Sequence, residues 1–195
     1  MNTSLLTDIA YYGGLLSALF LVRYAAQIWF GKAPPTGQTS FLMWTILDVL
    51  LVVNTIRVGK PILLPLGWTV GAFLVFLTLR IRGKWEWTKE DTIAASAAAI
   101  AALVSLSFGG RIGLIASIAA MTSAGIPVLL QNLKNPVRAT FPLWFVTVLS
   151  CIFTLLASDR SFDGTVLAWS SLTFNGTMSI IVMLPPRPQA APAAT

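Results

Sequence analysis

Seven apolar runs succeed one another along the chain, separated by short stretches rich in Gly, Pro and basic residues. The runs cover residues 9–30, 38–57, 61–81, 91–108, 112–132, 140–157 and 165–184. A transmembrane helix needs about 20 mostly apolar residues, so the pattern predicts seven membrane-spanning α-helices. Each break has its own punctuation. Gly31 to Gly37 carries Lys32, Pro34 and Pro35. Gly59-Lys60-Pro61 separates the second and third runs, and Gly109-Gly110-Arg111 the fourth and fifth. The connection from Arg80 to Asp91 is the longest and most polar, and its Trp85 and Trp87 sit where interfacial aromatics are expected.

Composition strengthens this reading. Hydrophobic residues make up 56% of the 195 positions and charged residues only 10%, against roughly 25% charged in soluble domains. Such a chain cannot cover a water-facing surface with polar groups, and seven spans leave no room for a separate soluble domain. With no His and a single Cys, Cys151, the commonest general base and the soft metal ligands are missing. No metal, no cofactor and no enzymatic activity are expected. The net charge of +6 does not imply nucleic-acid binding, because the cations lie in loops, where they set topology. Lys32, Arg80, Arg82, Lys84, Lys89, Lys134, Arg138 and Arg187 fall on one side; Arg57, Lys60, Arg111 and Arg160 fall on the other. The more basic side is expected to be cytoplasmic, with the amino terminus outside. The Pro- and Ala-rich residues 185–195 form an expected disordered cytoplasmic tail.

The two ends of the chain resemble each other at an offset of about 100 residues. Ser40-Phe41-Leu42-Met43-Trp44 follows a basic Pro-containing loop, and so does Thr140-Phe141-Pro142-Leu143-Trp144. Farther on, Trp68 and Phe73 parallel Trp169 and Phe174. Three spans reverse the chain's side, and one more span restores it, so a second three-span unit would insert parallel to the first. The expected organisation is a first three-helix repeat over residues 1–85, a linker helix over 86–111 and a second repeat over 112–184. The linker run is rich in Ala, which allows close helix approach.

On these features the chain resembles the PQ-loop and SWEET superfamily of seven-helix transporters over roughly residues 9–184. The resemblance rests on the three-one-three layout, the two basic loops, the tryptophans Trp44 and Trp144, and Asp48 four residues after the first of them. The Pro-Gln pair of the family is absent: Ala26-Gln27 and Pro127-Val128 stand in its place. SWEET proteins carry an Asn in the third helix of each unit; Asn175 fits the second unit, and Leu74 stands near the first-unit position. The resemblance implies a solute carrier in a bacterial plasma membrane.

Few polar residues lie deep in the runs. Arg23 and Asp48 are the two charges well inside, at depths of about 12 and 16 Å. Either they form a structural ion pair, or Arg23 reaches back to the interface, or Asp48 binds a proton or solute and Arg23 tunes it. Asn175 is expected either to hydrogen-bond another helix or to face a pocket, and Asn54 to lie at the interface. Trp44 and Trp144 could stack on a ring-shaped solute or anchor the helices. Pro127 and Pro142 interrupt the fifth and sixth runs, as hinges or as ordinary membrane prolines. Cys151 reads as a small core residue.

The expected function is a carrier for a small polar solute, sugar-like or an amino acid, passive or proton-coupled. It would work by alternating access between the two three-helix bundles. Asp48, Asn175, Trp44 and Trp144 would bind the solute. The alternative is a non-transporting membrane scaffold or accessory subunit, which could be a homo-oligomer.

Overall fold

The structure, a computed structural model, describes residues 3–34, 37–60, 62–83 and 87–185, with side chains from Tyr11 onward. The expectations for Lys84, Trp85 and most of the tail lie outside these residues. The described residues form seven α-helices and no strand. The helices are α1 (Thr3–Trp29), α2 (Gln38–Arg57), α3 (Leu63–Arg82), α4 (Lys89–Phe108), α5 (Gly110–Lys134), α6 (Phe141–Ala157) and α7 (Phe162–Ile181), with a 3-10 turn over Arg138–Thr140.

Helices α2 to α6, α6 counted with its 3-10 turn, are long and apolar enough to cross a membrane. Their outer faces support that role. Ile46, Val49 and Ile56 on α2 and Ile93, Ile100 and Leu103 on α4 are all exposed, which suits lipid and not water. Helix α7 is more polar, with Ser170, Ser171, Thr173, Asn175, Thr177 and Ser179. It satisfies much of that polarity internally. Thr173 donates to the Trp169 carbonyl, Thr177 to that of Thr173, and Ser179 to that of Asn175. Backbone and hydroxyl groups in a dry environment must find such partners within the protein.

The boundaries follow local chemistry. α2 begins after Gly37, whose φ of 75° is left-handed, a conformation that costs a side-chain-bearing residue about 1–2 kcal/mol. α4 opens on a capping box in which Thr88 and Asp91 each bond the other's backbone N–H. α4 and α5 meet at Gly109-Gly110, both with positive φ. Pro142, expected to interrupt a helix, instead stands in the first turn of α6. Its missing N–H belongs there to a group that no helical carbonyl would have paired, so it starts the helix without kinking it. Pro127 does lie inside α5, where it leaves the Ser123 carbonyl without its usual partner.

One apolar cluster joins α1, α2, α3, α5, α6 and α7 around Phe41, Trp68, Val75, Trp144 and Met178. Helix α1 packs on α3 and α6, α2 on α3 and α5, and α7 on α5 and α6. Helix α4 lies against α5 and α2. Its Ala94 and Ala98 meet Met43, Leu47, Ala120 and Ala124, and the small side chains allow the close approach. A polar knot ties the same three helices. The Asn54 amide nitrogen lies 2.6 Å from the Ser105 hydroxyl and 3.0 Å from that of Ser117. Asn54 is thus buried, 1% exposed, and not the interfacial residue expected. Its depth near the end of α2 is as counted, but it faces α4 and α5 and not the headgroups.

The parallel drawn between Trp68 and Trp169 also fails. Trp68 is buried at 6% exposure and Trp169 is 58% exposed. Likewise Phe73 faces outward, whereas Phe174 packs against the core. Buried positions of α3 and α7 correspond instead at an offset of 103: Pro65 and Ala168, Ala72 and Asn175, Val75 and Met178, Leu79 and Val182. Two residues of difference turn a helix by about 200°, which inverts the face.

Candidate functional site

A cavity of about 90 Å³ lies among the helices, lined from every one except α4. Trp44 and Asp48 reach it from α2, Trp68 from α3, Trp144 and Thr147 from α6, and Phe174 and Asn175 from α7. The four residues singled out for solute contact therefore border one space.

Aromatic rings build its wall. Trp44, Trp144 and Phe174 form a mutual edge-to-face triangle with centroids 5.9–6.3 Å apart, a favourable geometry for ring quadrupoles. Phe174 sits over Gly125 of α5, where a Cβ would collide with the ring. Two tryptophans are further fixed by their indole N–H groups. Trp44 donates to the Met121 carbonyl at 2.9 Å, linking α2 to α5, and Trp144 donates to the Thr140 hydroxyl at 3.1 Å.

Several polar groups are already engaged. Thr122 donates to the Ile118 carbonyl and Thr147 to that of Leu143. The Asn175 amide donates to the Ser171 carbonyl at 2.7 Å. Asp48 stands apart. It is 1% exposed, and its Oδ1 has no hydrogen-bond partner among the described residues. The Trp68 indole N–H is likewise buried and unpartnered.

No Arg23–Asp48 ion pair forms. Arg23 is exposed, its guanidinium 5.4 Å from the centre of the Phe20 ring. Counting residues from the shared loop gives depth but not direction. Helix α1 turns Leu21, Tyr24, Ala25 and Ile28 inward and packs on α3 and α6, which points Arg23 away from α2. Cys151 is fully buried in the core cluster. Trp68, Thr147, Ser170, Ser171 and Phe174 line the cavity without having been singled out. The signal that could have found the α7 residues is the face set by Asn175, because Ser171 lies one turn before it.

A second, larger recess of about 390 Å³ lies at the end of the molecule formed by the α2–α3 and α6–α7 connections. Its rim carries an ion pair between Lys60 and Asp159. Bonds from the Lys60 ammonium and from Ser161 pull the Asp159 carboxyl down to about 2. Beside it Arg111 holds Asp163 through two bonds of 2.7 and 3.1 Å, which lower the Asp163 carboxyl below its usual range. Leu167 borders both the recess and the inner cavity. At the opposite end Gly37 donates its N–H to Gln131 at 3.1 Å. A Cβ on Gly37 would come within 2.9 Å of Val128.

Compared with known proteins, the chain matches no family model, no curated protein and no solved structure.

Proposed function

We propose that the protein is a membrane carrier for a small polar solute. The helices α1–α3 and α5–α7 would form two parallel units that alternate access to the cavity between them, with α4 as linker. The observation that carries this reading is the cavity itself: it takes polar and aromatic groups from both halves of the chain and holds a buried carboxyl group whose Oδ1 has no partner among the described residues. The pattern of helix neighbours supports the repeat. Exchanging each of α1, α2 and α3 for α5, α6 and α7 turns the α1–α3, α2–α3 and α1–α6 contacts into α5–α7, α6–α7 and α5–α2 contacts, all of which occur. Buried pairs 100 residues apart support it too: Gly13 and Gly113, Ser17 and Ser117, Ala25 and Gly125, Ile28 and Val128. These are the relations expected of a site at a repeat interface, and they agree with the resemblance to the PQ-loop and SWEET superfamily.

The distribution of cations supports a cytoplasmic α1–α2 loop and an outer α2–α3 loop. The lipid bilayer is then the protein's first partner, as for an integral protein of a bacterial plasma membrane. Counterflow of labelled solutes into proteoliposomes tests the carrier. Saturable uptake that falls in Asp48→Asn is expected, and its absence for sugars, amino acids and amines alike would remove this reading. A scaffold is the second reading. It is favoured by the hydroxyls of Thr122 and Thr147, which are spent on their own helices and leave the lining thin. A stable homo-oligomer without counterflow would identify it.

A further inference from the structure

We infer that the central cavity selects a small organic cation, an amine or quaternary ammonium, over neutral polyols and zwitterions. As a transport substrate this rests on the carrier reading; as a binding preference it stands on the site alone.

The first argument is charge. Asp48 is enclosed and unpaired, and no Lys or Arg lines the cavity among the described residues. Helix α2 packs on α3, α4 and α5. The charged residues of those helices are Arg80 and Arg82, then Lys89, Glu90 and Asp91, then Arg111 and Lys134, each within the first or last turn. Arg57, at the end of α2, is nine residues from Asp48, or about 13.5 Å along the axis. No fixed cation therefore answers the carboxylate, and a buried charge is costly unless something pairs with it.

The second argument is the balance of donors and acceptors. Thr122, Thr147, Trp44, Trp144 and the Asn175 amide already direct their hydrogens at the protein. What remains open beside the rings is an acceptor, Asp48 Oδ1, which has no partner among the described residues. The Ser170 and Ser171 hydroxyls can turn either way, Trp68 is a fixed donor without a partner among the described residues, and the Asn175 amide carries a second N–H. A primary ammonium donates only, so it matches the open Asp48 acceptor, whereas a quaternary ammonium carries no N–H and would be held by charge and by the ring faces alone. A polyol can also donate to Asp48 but brings no charge to answer the carboxylate, and an amino acid would place its own carboxylate beside Asp48 with no cation to hold it.

The third argument is the wall. Trp and Phe rings attract cations through their negative faces. The volume of about 90 Å³ is below the roughly 150 Å³ that holds benzene in an engineered cavity. The preferred cation thus has only a few heavy atoms.

Three tryptophans line the site, so intrinsic fluorescence reads its occupancy. Purified protein is titrated with methylammonium, ethylammonium and tetramethylammonium, and with glycerol and glycine as the neutral and zwitterionic probes. Saturable quenching by at least one ammonium, at lower concentration than by glycerol or glycine, is expected. Asp48→Asn should weaken it by at least about tenfold, the loss of one charge-assisted contact. Asp48→Glu should retain it, and Arg23→Ala, outside the cavity, should leave it unchanged. Equal or tighter binding of glycerol or glycine overturns the inference, as does absence of saturable binding by every ammonium. These comparisons use the wild-type protein, so they hold even if Asp48→Asn fails to fold. Counterflow with the same probes separates the two readings. Glycerol or glycine transport without ammonium transport overturns the cation and keeps the carrier. Ammonium binding without counterflow of any solute overturns the carrier and keeps the site.

Discussion

The two ends of the molecule are closed by different means. At the end formed by the α1–α2 and α5–α6 connections, Gly37 lies directly against Val128, and its N–H is taken by Gln131. The two connections meet there at short range, although a recess of about 490 Å³ opens to one side, between the α1–α2 connection and Arg82 at the end of α3. At the other end a recess of about 390 Å³ remains, crossed at its rim by the Lys60–Asp159 pair. An exposed ion pair holds weakly and is screened by salt, whereas steric contact is insensitive to both salt and pH. If the protein is the carrier proposed above, the difference makes the recess end the one expected to yield first. Opening it needs one solvated pair to part, while opening the other end must unseat the whole start of α2.

The largest test of this asymmetry is Gly37→Ala. It meets a left-handed φ and the Val128 side chain together, and should cost about 2–4 kcal/mol, read as a fall in melting temperature. Adding Val128→Ala should recover the steric part, because the two changes share one contact. An unaltered Gly37→Ala protein would mean that this end is not tightly packed. Next in size is Gln131→Leu, which removes an exposed bond to the Gly37 N–H and, with water as substitute acceptor, should cost about 0.5–1 kcal/mol. Lys60→Met should change the melting temperature least. Its effect should instead appear as faster modification by a water-soluble thiol reagent of a cysteine placed at Thr154, which lines the recess. High salt should reproduce part of that acceleration in the wild-type protein and none of it in Lys60→Met.

The smallest effect is one of pH. Asp159 is held at about 2, below its unfolded value of about 3.9. A lowered carboxyl stabilises the fold above the unfolded value and loses that contribution as pH falls through the folded one. The stability difference between wild type and Lys60→Met should therefore hold steady above about pH 5 and close between about pH 4 and 2. Melting curves of both proteins across that range check it. A difference that persists at pH 2 would assign the Lys60 effect to packing and not to charge.

Much of the fold was legible because each apolar run ends in a residue with a local reason to stop. Helix α2 occupies Gln38–Arg57, the limits set by Gly37 and by Gly59-Lys60. The convergence of Trp44, Asp48, Trp144 and Asn175 followed from depth, which is a count of residues from a loop. What could not be read was direction about the helix axis. A soluble helix betrays its inner face by an apolar stripe, but here the lipid side is apolar too, and the stripe is lost. Arg23 was therefore assigned to Asp48 when it faces outward, and α3 and α7 were matched on their tryptophans two residues out of step. Asn54 failed for the same reason: nothing in α2 says which side holds Ser105 and Ser117. Pro142 was a different error, of position along the helix, because two residues separate a helix start from a helix interruption.

Leu167 has a further consequence. It borders the rim recess on one side and the Asp48 cavity on the other. Both spaces contain polar groups, and a file of water joining them would let protons hop toward the carboxylate whether or not any cargo moved. An isobutyl group offers neither donor nor acceptor, so it breaks that file as a hydrophobic constriction does in a channel. On the carrier reading proposed above, that side chain would help to insulate the membrane's stored gradient. Exchanging Leu167 for Ser would place a hydroxyl between the two spaces, and on the same reading proteoliposomes of that variant should leak protons without any solute present.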